Sequence, residues 1–313
     1  AAQQKYSYFS AGVQASTSHY QGDLDDNGFD FWAAFESAPN RNNGNPFKLL
    51  RPGFGFSINY HFHPHFFVRL AFSQGWIGAA DSFNKDPMRK WRNLSFQSHV
   101  TEISAQLVYM IIANDLHPRF RPNWSPYIFA GIGVFNFNPR AKPDAAWASQ
   151  YPELFNPNQL YSLQPLGTEG QYLVDENDEL PDPYALTQIC IPIGIGVRRK
   201  INERFDVYFD IGLRKVFTDY LDDVSGTFYA DPEELMRNLG PRSALFSDRS
   251  FYNGSAYDVQ QYQMSEEGKT DEKRGNYKLD DWYGFISLGA TMIIGKQDRC
   301  PRLWNNRGRW FVQ

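Results

Sequence analysis

The stretch Cys190–Phe217, CIPIGIGVRRKINERFDVYFDIGLRKVF, holds two apolar runs with opposite decorations. In the first, Ile189, Ile191, Ile193, Ile195 and Val197 alternate with Cys190, Pro192, Gly194 and Gly196. In the second, Val207, Phe209, Ile211 and Leu213 alternate with Asp206, Tyr208, Asp210 and Arg214. Alternation with a period of two is the signature of a strand, whose successive side chains leave opposite faces. One face of each strand is bulky and apolar; the other is small or ionisable. The bulky face needs an apolar medium. The other face needs a space narrow enough for two aspartates and an arginine to find partners.

The same alternation recurs along the chain and predicts eight strands, over residues 6–21, 52–62, 66–77, 95–112, 125–138, 184–199, 204–218 and 282–295. In the second, Phe54, Phe56, Ile58, Tyr60 and Phe62 oppose Gly55, Ser57, Asn59 and His61. In the third, Val68, Leu70 and Phe72 oppose Arg69, Ala71 and Ser73, and in the fourth Ile103, Ala105, Leu107 and Tyr109 oppose Glu102, Ser104 and Gln106. The last sets Ile286, Leu288, Ala290, Met292 and Ile294 against Phe285, Ser287, Gly289 and Thr291. The fifth, YIFAGIGVFNF, is apolar on both faces, so its phase stays open.

Connections alternate in length. His63–Pro64–His65, residues 113–124 and the KINE turn at 200–203 are short. Residues 22–51, 78–94, 139–183 and 219–281 are long. Short turns at one end and long loops at the other, with both termini on the short side, fit an all-β, eight-stranded antiparallel transmembrane barrel. A soluble β-sandwich shares the alternation, but it does not normally gather every long loop at one end. The expected organisation is a barrel over 1–295 followed by a periplasmic tail, 296–313.

Composition agrees. The 313 residues are 17% aromatic with eight tryptophans, and the formal net charge is −4, so charge offers no case for nucleic-acid binding. No run approaches the apolar length of a membrane helix. Two cysteines, Cys190 and Cys300, make neither a disulfide framework nor a metal set. The opening AAQQKYSYFS lacks a basic region and an apolar core, as expected after removal of an export signal.

Eight strands enclose an interior just wide enough for side chains. Arg69, Glu102, Asp206, Asp210 and Arg214 are therefore expected to neutralise one another there, with Arg214 level with Glu102 and Arg69 level with Asp206. An unpaired charge in so dry a space is costly. An ion or proton path is the weaker reading of the same residues.

Three further groups raise chemistry. DLDDNG (Asp23–Gly28) resembles the first half of a calcium loop, but Ala34 stands where the bidentate glutamate belongs. His61, His63 and His65 suggest a metal, or more simply a tight turn around Pro64. The four long aromatic-rich loops admit a cup-shaped surface ligand receptor, and Asp219, Asp222 and Asp223, with His19 near, admit an acid–base hydrolase at the rim. No nucleophile motif accompanies them, and a role in ordering loop amides competes. Beyond them DPEELMRNLG predicts a short helix capped by Asp231, begun by Pro232 and ended by Gly240. No cofactor or metal is expected. The tail carries Arg299, Cys300, Arg302, Trp304, Arg307, Arg309, Trp310 and Phe311, an arginine–aromatic mixture suited to a partner surface. Cys300 is placed to pair with another chain.

Three segments together carry a resemblance: SHYQGDL (Ser18–Leu24), LQPLGTEGQ (Leu163–Gln171) and RKVFTDYLDDVSGTF (Arg214–Phe228). In that order they resemble the PorG family, the small outer-membrane barrel of the type IX secretion system of Bacteroidetes. The resemblance implies a non-enzymatic component of a protein secretion machine, serving gliding motility in some relatives. It also implies contact from below with a periplasmic ring of a lipoprotein and its soluble companion, PorK and PorN, and it admits the translocon as a further neighbour. Carried onto this chain, the ring-facing surface would include His63, His65, Arg119, Arg121 and the tail. Independently of the resemblance, Asp219, Asp222, Asp223 and Glu169 are expected to order the rim. The family has no active site to transfer.

Overall fold

The computed structural model describes residues 7–24, 51–83, 92–114, 121–174, 180–225, 230–249, 274–275 and 281–294. Eight strands form the wall: β1 (Tyr8–Gln21), β2 (Arg51–His63), β3 (Phe66–Ala80), β4 (Ser95–Met110), β5 (Trp124–Asn136), β6 (Thr187–Lys200), β7 (Phe205–Val216) and β8 (Trp282–Ile294). Each pairs antiparallel with its sequence neighbour, and β8 pairs with β1 from Trp282↔Gln21 to Ile294↔Phe9. The sheet is closed. Closure leaves no strand edge in the wall, which is the condition for a sheet to stand in lipid.

The outward residues are those the alternation selects. Phe56, Ile58, Leu70, Ile103, Leu107, Ile132, Ile195 and Leu288 are each half exposed or more, while their neighbours along each strand turn inward. From Phe54 to Phe62 is about 27 Å of strand, or roughly 20 Å along the axis at a tilt near 40°. That covers most of the apolar band of a membrane barrel, about 25 Å tall. At the short-turn edge of the band Phe9 stacks on Tyr60 and Arg199 lies over the Trp124 ring. At the other edge Lys215 lies over Trp282. Aromatic and basic side chains at both borders suit the headgroup layers.

The phase of β5 is settled by its neighbours. Tyr127, Phe129 and Phe135 point inward, and Ile128, Ile132 and Val134 outward. The inward rings take the space that glycine leaves on the adjoining strands. Tyr127 lies opposite Gly196, and Tyr208 of β7 lies opposite Gly289; a Cβ at either glycine would run into the facing ring.

The long loops fold above the wall. Pro139–Ala141 pairs with Gln97–Ser98 of β4 and with Tyr161–Ser162, and the described parts of the loops carry the short helices α1 (Ala145–Gln150), α2 (Pro232–Asn238) and α3 (Pro241–Ser247). Helix α2 begins as its sequence predicts, with Asp231 accepting from the Glu233 amide and Pro232 in the first turn. It ends at Gly240, whose amide returns to the Leu235 carbonyl at φ 96°, a left-handed conformation that glycine accepts without strain. Trp147, Phe155, Tyr161 and Phe246 pack edge to face. This cluster runs unbroken through Phe137 and Phe135 to Tyr283 and Phe285 in the upper lumen. Cap and barrel therefore share one core.

Candidate functional site: a sealed lumen and a stapled cap

Strand β7 carries Asp206, Asp210 and Arg214 at four-residue intervals on its inner face, and each finds an opposite charge at its own height. At the bottom Arg121 donates to Asp206 Oδ2, and its other nitrogen reaches the Asn202 and Glu203 carbonyls at 3.2 Å. In the middle Arg69 donates to Asp210 Oδ2 at 3.1 Å, and the Tyr127 hydroxyl donates to the same oxygen at 3.1 Å. At the top Arg214 Nε donates to Glu102 Oε2 at 2.9 Å, joined there by the Tyr283 hydroxyl at 3.0 Å. All six charged groups are at most 7% exposed. Buried pairs of this kind hold only where further hydrogen bonds complete them. Arg69 meets that condition within a cage of rings, its guanidinium about 5.5 Å from the centroids of Tyr127, Phe129 and Tyr208.

Two expectations are corrected here. Arg69 meets Asp210 rather than Asp206, because the slant of the strands offsets heights counted from the turns. Arg121 is not on a ring-facing surface. The segment before β5 folds back under the lumen, so Arg121 becomes the bottom partner of Asp206 and pins the β6–β7 turn.

His63 is exposed and His65 partly exposed in the β2–β3 turn, where the His65 amide donates to His63 Nδ1 and His65 Nδ1 lies 2.8 Å from the Met110 carbonyl. His61 turns into the lumen and stacks on Tyr8. His61 is thus parted from His63 and His65, whose rings lie 6.1 Å apart, and among the described residues no group of three or more acidic, histidine or cysteine side chains is arranged to hold a metal. Arg119, Asp25, Asn27, and the tail residues Arg299, Cys300, Arg302, Trp304, Arg307, Arg309, Trp310 and Phe311 lie outside the described residues. Cys190 is buried in the lumen wall, 3.6 Å from the Tyr283 hydroxyl.

At the opposite end the rim carboxylates turn inward. Asp223 accepts from the Thr168 hydroxyl at 2.6 Å and the Tyr184 hydroxyl at 2.5 Å. Glu169 accepts from the Ser225 amide at 3.0 Å and from Arg274 at 2.8 Å, and Arg274 also donates to the Asp223 carbonyl at 2.8 Å. Asp222 accepts from the Tyr20 hydroxyl at 2.6 Å and the Val224 amide at 3.0 Å. Arg92 clasps Asp81 with two bonds of 2.7 Å and extends to the Asp23 carbonyl at 3.2 Å. Every one of the four long loops is tied into this cluster. Asp219 stands at its edge, partly exposed. The alternation places Tyr184 at the start of β6; its bond to Asp223 draws it into the cap instead, and β6 starts at Thr187.

Burial governs the electrostatics of the cap. It raises Asp223 to about 6 despite the nearby Arg274, and it raises Asp222 and Asp281 well above the usual carboxylate range. Asp222 and Asp223 are each 1% exposed. The cavity beside Asp222, between Leu24, Leu94, Phe246, Arg249 and Arg274, holds about 10 Å³, room for at most one water. A hydrolase needs a carboxylate that a substrate can reach, and neither of these offers one. Sequence reasoning missed Tyr20, Arg92, Arg274 and Asp281 as members of this cluster. Tyr20 stood inside a quoted motif; the others carried no local signal.

A family model described as a domain of unknown function, DUF6089, matches residues 46–145. No curated protein matches the sequence significantly. Among solved structures, Ail of Yersinia pestis, crystallised with the heparin analogue sucrose octasulfate, is 11% identical over 92% of this chain and 99% of its own, with a TM-score of 0.37. Neisserial surface protein A is 8% identical over 91% and 96%, at 0.36. A major outer membrane protein of Thermus thermophilus is 10% identical over 91% and 99%, also at 0.36. The barrel assignment rests on the closed ladders and the apolar band of this chain itself: the fold is that of an eight-stranded outer-membrane β-barrel.

Proposed function

We propose that this chain is a non-enzymatic structural component of the outer membrane, a PorG-like barrel of a Bacteroidetes type IX protein secretion machine. In this reading it sits in outer-membrane lipid and anchors or contacts a periplasmic ring of PorK/PorN type, with the translocon as a further neighbour. Gliding motility would depend on it in bacteria whose motility uses that machine.

The observation that carries the reading is where the three resembling segments meet. Tyr20 of SHYQGDL bonds Asp222 of RKVFTDYLDDVSGTF, and Thr168 and Glu169 of LQPLGTEGQ bond Asp223 and Ser225 of the same stretch. The quoted motifs are one buried cluster, not three separate likenesses. Among the described residues the lumen is filled by ion pairs and covered by a packed cap, which supports a role in contact through the outer surfaces. The short-turn end, with His63 and His65, and the tail from residue 296 are the surfaces proposed to meet the ring.

Purification in mild detergent from the native membrane, followed by mass spectrometry, tests this. A lipoprotein and a soluble periplasmic companion should accompany the full chain, and deletion of residues 299–313 should reduce their yield while the barrel stays folded. Recovery of the folded barrel with neither companion would overturn the assignment. Undiminished recovery after the deletion would remove the tail from it.

A further inference from the structure

The cap holds one hydrogen-bond arrangement that its donors alone do not account for. The Tyr20 hydroxyl lies 2.6 Å from Asp222 Oδ2 and 3.1 Å from Asp281 Oδ1. The remaining oxygens of both carboxylates already accept from backbone amides: Asp222 Oδ1 from Val224 at 3.0 Å, and Asp281 Oδ2 from Leu221 at 2.8 Å. A phenol has one hydrogen to give. When Tyr20 gives it to Asp222, Asp281 Oδ1 faces a lone pair on Tyr20 Oη; when it gives it to Asp281, Asp222 is left the same way. Two acceptors do not hold each other at such distances in a dry site. A second hydrogen, carried by one of the two carboxyl groups and donated to Tyr20 Oη, completes the chain.

The surroundings favour that hydrogen. Asp222 is 1% exposed, Asp281 is fully buried and Tyr20 is 3% exposed. Asp23 from the first loop and Asp219 from the fourth add negative charge to the carboxylates. Among the described cations of the cap, Arg92 pairs with Asp81, Arg274 bonds Glu169 and the Asp223 carbonyl, and Arg249 bonds the Ser95 hydroxyl and the Lys142 carbonyl. Asp223 is bonded to Thr168 and Tyr184, and His19 is on the other face of β1 from Tyr20. Tyr20 stands where β1 leads into the first loop, Asp222 lies near the start of the fourth loop, and Asp281 ends it, so these three groups join two loops at their roots.

We propose that the extracellular cap is a proton-dependent latch, in which Asp222 and Asp281 close around Tyr20 by sharing one proton taken from solvent. The latch holds the roots of the first and fourth loops together, and releasing the proton sets two buried carboxylates against each other. Loop closure is then tied to the acidity at the cell surface, tightening as the medium acidifies. A barrel with a filled lumen can in this way change its outer face while its wall stays fixed.

The test is hydrogen–deuterium exchange of the full chain in lipid, read on peptides covering residues 18–24, 218–225 and 281–285 and corrected for the intrinsic pH dependence of exchange. The range is pH 7.5 to 9, above the window in which Asp223 titrates. Protection of these peptides should fall as the pH rises, by up to about tenfold per pH unit for a single linked proton. Peptides within β3 and β4 should not change. Asp222→Asn supplies the second hydrogen permanently: its Oδ1 keeps the Val224 amide and its Nδ2 donates to Tyr20 Oη. This variant should stay protected across the whole range, and Asp281→Asn should behave alike should the first fail to fold. A pH dependence equal in wild type and a folded variant would overturn the latch. So would protection that is flat with pH but gained with calcium and lost with a chelator, which would make the pair a cation site.

Discussion

Arg69 and Asp210 meet across the middle of the lumen at 3.1 Å, inside a cage of four aromatic rings. This pair occupies the level at which a pore would have to pass, and it is completed by the Tyr127 hydroxyl bonded to the same carboxylate oxygen.

Replacing Asp210 by Ala leaves the Arg69 guanidinium buried without its carboxylate. The expected loss is about 3–5 kcal/mol of folding stability, measured by urea unfolding in lipid vesicles. Replacing both partners, Arg69→Met with Asp210→Leu, should recover most of that loss, since the cost lies in the stranded charge. A double variant as unstable as the single one would assign the pair a different role.

The lipid-facing wall has its own test at Ile132, 69% exposed at mid-band on β5. Ile132→Arg should cost about 2–4 kcal/mol in a bilayer, as charges do near the midplane of a barrel. Val174→Arg, at an exposed loop position, should change stability by less than about 0.5 kcal/mol. Equal effects at the two sites would be incompatible with an apolar band at the height of Ile132.

Arg274 is a staple of the cap rather than of the barrel. Arg274→Ala removes the cation from Glu169 Oε1, leaving that oxygen the Ser225 amide, and releases the Asp223 carbonyl. The third and fourth loops should become several-fold more sensitive to limited proteolysis. The heat-dependent gel shift that marks a folded barrel should be unchanged.

Asp223 gives a separate dependence on acidity. Burial raises it from 3.8 to about 6, so the folded cap binds this proton more tightly than the unfolded chain does. The stability contributed by the neutral form is complete below about pH 4 and is lost as the pH rises through about 6. Its size is of the order of 3 kcal/mol. Asp223→Asn should flatten the dependence of cap protection on pH between 4 and 6, measured by hydrogen exchange. An undiminished slope in that window would move the titration to another group.

How far the sequence carries can be seen on two strands. On β7 the order Asp206, Asp210, Arg214 against Val207, Phe209, Ile211 names both faces, because the two-residue repeat is a property of the extended backbone and needs no partner. On β5 the same rule is silent, since Tyr127 and Ile128 are both apolar enough for either side. There the glycines of β6 decide, by leaving room for the rings of Tyr127 and Phe129. The helix at Pro232–Asn238 was legible for the same reason as β7: its cap, its first-turn proline and its closing glycine are local. The rim was legible only in part. Asp222, Asp223 and Glu169 stood out in sequence, whereas their partners Tyr20, Arg274 and Asp281 come from segments tens to hundreds of residues away.

The sequence by itself determined the strand count, the inward and outward faces of most strands, and the end at which the long loops gather. Each follows from neighbours within a few positions. Which charges meet was decided only by the tertiary structure, because strand tilt and register set their relative heights. The slant gave Arg69 to Asp210 and left Asp206 for Arg121, and only the folding of four loops onto one another set two aspartates around a single tyrosine proton.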